Sequence, residues 1–184
     1  MKQQRIAWVD VASGILILWV MAFHAMNTSK VFGSMDVRVA LPFLTFSMPW
    51  FYYKSGMLFK ADRGAEGVRK DYRKFVIPFL KWGLAGYAVY LLMHALTGTL
   101  TWEVATLKAL DTIYIYGYIP ANPPTWFILS LFLVRVCGQA LIRWKVSPWV
   151  SALSGLAVGY LFHLAQIPWL PFIIANVAMG ITFF

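Results

Sequence analysis

The sequence predicts an all-α, polytopic membrane helical bundle of about six transmembrane helices with a cytoplasmic N-terminus, and three observations carry that expectation. Of 184 residues, 60% are hydrophobic and only 12% are charged, and the mean hydropathy is +0.66, far from the make-up of a soluble domain. Apolar runs recur at Ala7–Met26, Ala40–Phe59, Phe75–Leu96, Trp126–Ile142, Trp149–Leu164 and Trp169–Phe184, each about as long as a bilayer core requires at roughly 1.5 Å per residue. The basic residues also sort by loop. If the spans alternate, Lys2, Arg5, Lys60, Arg63, Arg69, Lys70, Arg73, Lys74, Lys81, Arg143 and Lys145 fall on one side, and only Lys30, Arg38 and Lys108 on the other. This is the positive-inside asymmetry, so the net charge of +9 reports topology and implies no nucleic-acid partner.

The first run, RIAWVDVASGILILWVMAFHAM, carries Asp10 near one end and His24 near the other. An ionisable group at the centre of a membrane helix costs about 3 kcal/mol, so both read as functional candidates. At about 100° and 1.5 Å per residue they share a face but stand roughly 21 Å apart along the axis. Lys2 and Arg5 resemble the basic start of a secretory signal, but Asp10 interrupts the apolar region and no small-residue cleavage site precedes a soluble domain. In the second run, PWFYYKSGMLF places Lys54 near the cytoplasmic end, where its long stem is expected to snorkel to the interface.

The loop VRKDYRKFVIPF crowds Arg69, Lys70, Arg73 and Lys74 at the mouth of the third span. Arg69 and Arg73, one helical turn apart, suit a bidentate phosphate clamp, and the competing explanation is plain topology. The long connection from Thr97 to Thr125 spaces Trp102, Leu107, Leu110, Ile113 and Tyr114 as an amphipathic helix on the membrane surface. Tyr114, Tyr116 and Tyr118 then alternate, either as a sugar-stacking platform or as an interfacial aromatic belt, before Pro120, Pro123 and Pro124 stop regular structure.

Within the fourth span, Arg135 stays charged at any ordinary pH and must find a partner or water, so it either faces a cavity or snorkels and pairs with another group. Cys137 is the only cysteine, which rules out a disulfide within the chain. Gly155 and Gly159 form a small-xxx-small pair suited to close helix packing, and Asn176 suits a hydrogen bond to a neighbouring helix. His24, His94 and His163 fall near one surface, but no Cys or carboxylate accompanies them at ligand spacing, so no metal is expected. Residues 1–184 read as one transmembrane domain without repeats, and the uncharged end at Phe184 reads as the N-terminal part of a longer protein.

Taken in order, WVDVASGILILWVMAFH, FSMPWFYYKSGMLF, RKDYRKFVIPF, PPTWFILSLF and IPWLPFIIANVAMGITFF resemble the integral-membrane acyltransferase family 3, whose members O-acylate cell-envelope glycans and related molecules. The resemblance runs through essentially the whole chain. It implies that His24 is the essential first-span histidine and Asp10 the aspartate near the start of that span. It also implies Ser55 and Gly56 after Pro49, a basic pair at Arg69 and Arg73 before Pro78, and Trp126 with Phe127 opening a later span. This chain departs from the family in having Ser13 where many members carry Lys or Arg eleven positions before the histidine, and in showing six spans where members have about ten.

The implied chemistry is acyl transfer from cytoplasmic acyl-CoA, acetyl-CoA foremost, to a hydroxyl of an extracytoplasmic glycan or related acceptor in a bacterial inner membrane. A hydroxyl is a poor nucleophile near neutral pH. An imidazole of ordinary pKa near 6.5 can take its proton as the new bond forms, contributing about 10² to 10⁴ in rate. That places His24 as base, Asp10 as an orienting group, Arg69, Arg73, Lys70 and Lys74 on the CoA phosphates, and Ser55, Arg135 and Trp126 along the substrate path. The donor is a substrate, with no permanently bound cofactor. Competing classes are a transporter or flippase for a polar or lipid-linked solute, and a non-catalytic homologue. A broken-helix inverted repeat would mark the transporter, and none is visible.

Overall fold

The computed structural model describes residues 6–29, 47–60, 64–165 and 171–184, and every regular element among them is helical. Residues 40–46 of the predicted second span, Trp169 and the His163 side chain lie outside the described residues, as do Lys2, Arg5, Lys30, Arg38 and Arg63. Helix α1 spans Ala7–Thr28 and α2 spans Ser47–Met57. Next, α3 (Gly64–Asp71) runs through a π-turn at Tyr72–Val76 into α4 (Ile77–Leu96). The connection then holds α5 (Trp102–Ala105) and α6 (Leu107–Tyr116), followed by α7 (Thr125–Arg143), α8 (Pro148–Ala165) and α9 (Phe172–Phe183).

Three of these stretches, Ala7–Met26, Gly64–Leu96 and Thr125–Arg143, are long and apolar enough to cross a membrane, and they coincide with predicted spans one, three and four. Pro148–Phe162 and Ile173–Phe183 are shorter apolar helices where spans five and six were expected.

The element boundaries have local causes. Pro78 has no N–H to give the Lys74 carbonyl, and its ring crowds that carbonyl. The preceding turn widens, and the Ile77 N–H bonds to the Tyr72 carbonyl in a five-residue step. The basic segment expected as a loop is thereby helical and continuous with α4. Helix α4 ends in a Schellman motif, with Gly98 left-handed at φ 68°, its N–H on the Ala95 carbonyl and the Thr99 N–H on that of His94. The single amphipathic helix expected in the connection is split. The Thr106 hydroxyl bonds back to the Trp102 carbonyl at 2.7 Å, and the Thr106 backbone leaves helical geometry at φ −123°. Gly117, left-handed at φ 73°, stops α6 before the prolines do.

Helix α7 forms the centre of the bundle, packing against α2, α3, the π-turn, α4 and α9. Val134 and Ser130 are fully buried there, and the Ser130 hydroxyl meets the buried Tyr52 hydroxyl of α2 at 2.5 Å. Two glycines let other groups approach: a Cβ on Gly138 would overlap the Phe184 ring, and one on Gly180 would overlap Val134 and Tyr52. The most extensive helix pair is α8 with α9. Gly155 lies against the Ala178 carbonyl and Gly159 against Met179, so the small-xxx-small pair does pack closely. In contrast, α1 packs on α2 among the described residues, burying Val9, Ser13 and Leu16, with Ala12, Trp19, Val20 and Phe23 half-buried.

Candidate functional site

Two polar clusters gather around α2, one on each side of it. Trp50 and Lys54 lie one turn apart on α2 and face α1 together. The Trp50 indole N–H donates to Ser13 Oγ at 3.2 Å, and Lys54 Nζ donates to the same oxygen at 2.8 Å. The Ser13 hydroxyl gives its own proton to the Val9 carbonyl at 2.7 Å. Two acceptances and one donation use the full capacity of a hydroxyl, which is how Ser13 stays satisfied while buried. Lys54 Nζ also reaches Asp10 Oδ1 at 3.2 Å, with the side chains 22% and 54% exposed. Lys54 therefore has partners on α1. Its ammonium is delivered to α1 beside the serine that stands where a basic residue was expected.

On the other face of α2, Arg135 of α7 ties three segments together. Its Nε donates to Asp71 Oδ2 at 2.7 Å, and its Nη1 donates to Ser55 Oγ at 3.0 Å and to the Ser55 carbonyl at 3.2 Å. The guanidinium lies 4.9 Å from the centre of the Phe59 ring and 5.8 Å from that of Phe75. Both charged side chains are largely covered, at 14% and 13% exposure. A cavity of about 40 Å³ beside them, lined by Lys60, Asp71, Arg135 and Gln139 among others, has room for a water or two but not for a substrate. Arg135 thus pairs, as one of its two expected roles required, and Ser55 is one of its partners. Its carboxylate partner, Asp71, was not among the predicted site residues. The available signal was that Asp71 is the one acid in VRKDYRKFV, while no acid lies in the span around Arg135.

With Asp71 turned inward, Arg69, Lys70, Arg73 and Lys74 point outward as an exposed basic ledge across α3 and the π-turn. Lys70 pairs with Glu66 at 2.6 Å on the surface, a contact worth about 0–1 kcal/mol. Lys74 Nζ sits 5.1 Å from the centre of the Phe75 ring. Arg69 and Arg73 are both exposed, with the start of the π-turn between them. A groove of about 800 Å³ between α3 and α7, with Val68, Ala140 and Arg143 on its walls, adjoins this ledge.

His24 is exposed on α1, with the neighbouring Phe23 ring edge-on at 5.5 Å. It lies about 21 Å along α1 from Asp10, so it does not join the Lys54 cluster. Trp126 stands edge-on to Phe127 at 5.8 Å, and Phe127 in turn packs edge-on to the buried Tyr52 at 5.3 Å. At the far end of the connection, Tyr116 and Tyr118 stack at 5.8 Å. Burial pushes the Tyr118 hydroxyl above its ordinary value, and Tyr116 adds to that shift. His94 is held by Thr99 Oγ1 at 2.7 Å and by the Tyr90 ring at 4.5 Å, contacts that suit packing.

Comparison with models of known families, with characterised proteins and with solved structures returns no match to this chain.

Proposed function

We propose that this protein is a membrane O-acyltransferase resembling acyltransferase family 3, with six spans and a cytoplasmic N-terminus. In this reading it moves an acyl group, acetyl foremost, from cytoplasmic acyl-CoA to a hydroxyl of an extracytoplasmic glycan or related acceptor, in a bacterial inner membrane. The observation that supports it most is the Lys54 ammonium at Ser13 and Asp10, which gives α1 a cation eleven residues before His24, where the sequence by itself has none.

In the transfer, the acceptor oxygen attacks the thioester carbonyl carbon while His24 takes the hydroxyl proton. The carbon–sulfur bond then breaks, and the proton passes to the departing thiolate, leaving an ester and free CoA. Arg69, Arg73, Lys70 and Lys74 hold the donor phosphates, since charge-assisted contacts of this kind are stronger than neutral hydrogen bonds. Asp10 keeps Lys54 against α1. Arg135 and Ser55 act on the path indirectly, by fixing the basic ledge through Asp71.

Membranes bearing the protein, supplied with labelled acetyl-CoA and a cell-envelope glycan extract, are expected to place label on the glycan as a base-labile ester. Absence of any covalent product, with uptake of a solute instead, would replace this reading with a transporter. Asp10 and Arg135, ion-paired residues on two helices long enough to span a membrane, favour that second reading.

Orientation is tested separately. An impermeant thiol reagent applied to intact cells should label Ala121→Cys and spare Gly64→Cys. The reverse pattern would remove the donor site from the cytoplasm. Replacing Arg69 and Arg73 together with Gln should weaken CoA binding at least about tenfold while expression holds, because exposed charges contribute little to stability. Unchanged CoA affinity would return the pair to a topological role.

A further inference from the structure

Helices α1 and α4 both run opposite to α2 and α7, and side-chain bonds set their relative heights. Asp10 pairs with Lys54 of α2, the adjacent Ser55 holds Arg135 of α7, and Arg135 holds Asp71 at the end of α3, so these groups mark a common level. His24 stands about 21 Å along α1 from that level, and Gly86 stands roughly as far along α4. The connection arrives there too. Ile119 fills the space that a side chain on Gly83 would need, Asn122 lies against Gly86, and its Nδ2 donates to the Trp82 carbonyl at 3.2 Å. Helix α4 then runs about 15 Å further, to Leu96, so the connection folds back along it.

Beyond that level, the side of α4 that meets the connection turns polar. Gly83, Gly86, Tyr87, Tyr90 and His94 fall within an arc of roughly 100°, whereas Leu84, Val89 and Leu92 on other sides are exposed. The Tyr87 hydroxyl donates to the Ala105 carbonyl, and the Tyr87 and Tyr90 rings stack at 6.1 Å. Thr99 Oγ1 holds His94 Nδ1, which leaves the other ring nitrogen without a partner among the described residues. The Tyr90 hydroxyl is buried and, alone among the buried side-chain polar atoms of the described residues, has no hydrogen-bond partner.

A buried hydroxyl without a partner marks a place for a group that hydrogen-bonds. Hydrocarbon cannot supply that bond, and irregular backbone such as residues 117–124 is tolerated at membrane depth only inside protein or beside water. No Asp, Glu, Lys or Arg lies between Gly83 and Leu96, so the walls suit an uncharged ligand. A compound rich in hydroxyls matches them: its C–H faces stack on phenol rings, and its hydroxyls bond the phenol oxygen and the imidazole. We infer that Tyr87, Tyr90 and His94 line a passage by which the hydroxyl acceptor descends from the outer end of α4 to the level of His24, with Tyr90 binding it through the phenol oxygen. This rests on the acyl-transfer reading above and adds the acceptor's route and the chemistry of its walls.

The test uses the whole protein with Cys137→Ser as background. Applied outside intact cells, a charged, impermeant methanethiosulfonate should label Tyr90→Cys and spare Leu92→Cys, which lies on an exposed side of α4. In membranes supplied with labelled acetyl-CoA, Tyr90→Phe should need at least about fivefold more cell-envelope glycan extract for half-maximal transfer, with CoA affinity and thermal stability at the parent's values. A Tyr90 that only packs would leave that requirement unchanged, because the hydroxyl it loses has no partner in the fold. An unlabelled Tyr90→Cys that accumulates normally overturns the passage, as does parental half-saturation in Tyr90→Phe, and either result leaves transfer itself in place. A parent protein that forms no ester removes the acyl-transfer reading, and the passage's acceptor with it.

Discussion

The His24→Gln variant is expected to insert and accumulate like the parent protein, yet lose at least about 10²-fold in acyl transfer. A glutamine keeps polarity and much of the volume of the imidazole, so a histidine that only packs or hydrogen-bonds would tolerate it. An amide has no useful basicity near neutral pH, so it cannot take the proton of an attacking hydroxyl. The surroundings sharpen the expectation. His24 is exposed on α1, and the Phe23 ring at 5.5 Å is not a contact whose loss would unfold the bundle. CoA binding should persist in the variant, because the basic ledge lies at the opposite end of the bundle. Rate and affinity measured on the same preparation decide the matter: transfer near the parent rate would make His24 structural or part of a transport path.

The largest expected loss of stability follows from Asp71→Ala or Arg135→Ala. Their side chains meet at 2.7 Å and are 13% and 14% exposed. Removing one partner leaves the other charge covered and unmatched, which costs about 3–5 kcal/mol. Arg135→Ala should be the worse of the two, since it also strips the Ser55 carbonyl and hydroxyl of their donor. The double variant Asp71→Ala/Arg135→Met should lose less than Arg135→Ala alone, because no bare charge remains. Unfolding in detergent measures all three. Single variants within about 0.5 kcal/mol of the parent would show that solvent, rather than the partner, satisfies these charges.

Helices α1, the apolar part of α4 and α7 were legible because each is a predominantly apolar run of about bilayer length, and that signal depends on no other part of the chain. The helical nature of VRKDYRKFV was not. Its polarity resembles a loop, and its continuity with α4 depends on how the turn before Pro78 widens. The amphipathic connection was read correctly as helix, but its break at Thr106, where the backbone leaves helical geometry, has no signal in the apolar spacing. Asp10 and Arg135 were flagged from their cost in an apolar span, whereas their partners were not. Which cation meets Asp10 depends on how α1 and α2 rotate against each other. Lys54, read locally, looked able to reach the interface by itself. Ser13 looked like a loss for the same reason, since the sequence could not show that Trp50 and Lys54 converge on its hydroxyl.

The cross-helix origin of that cation also bears on how the protein is made. Helix α1 leaves the ribosome before α2, with a bare carboxylate at Asp10 in its first turn. The neutralising ammonium arrives only with α2, some forty residues later in synthesis. Asp10 of α1 therefore stays unpaired until α2 has been made and has met it.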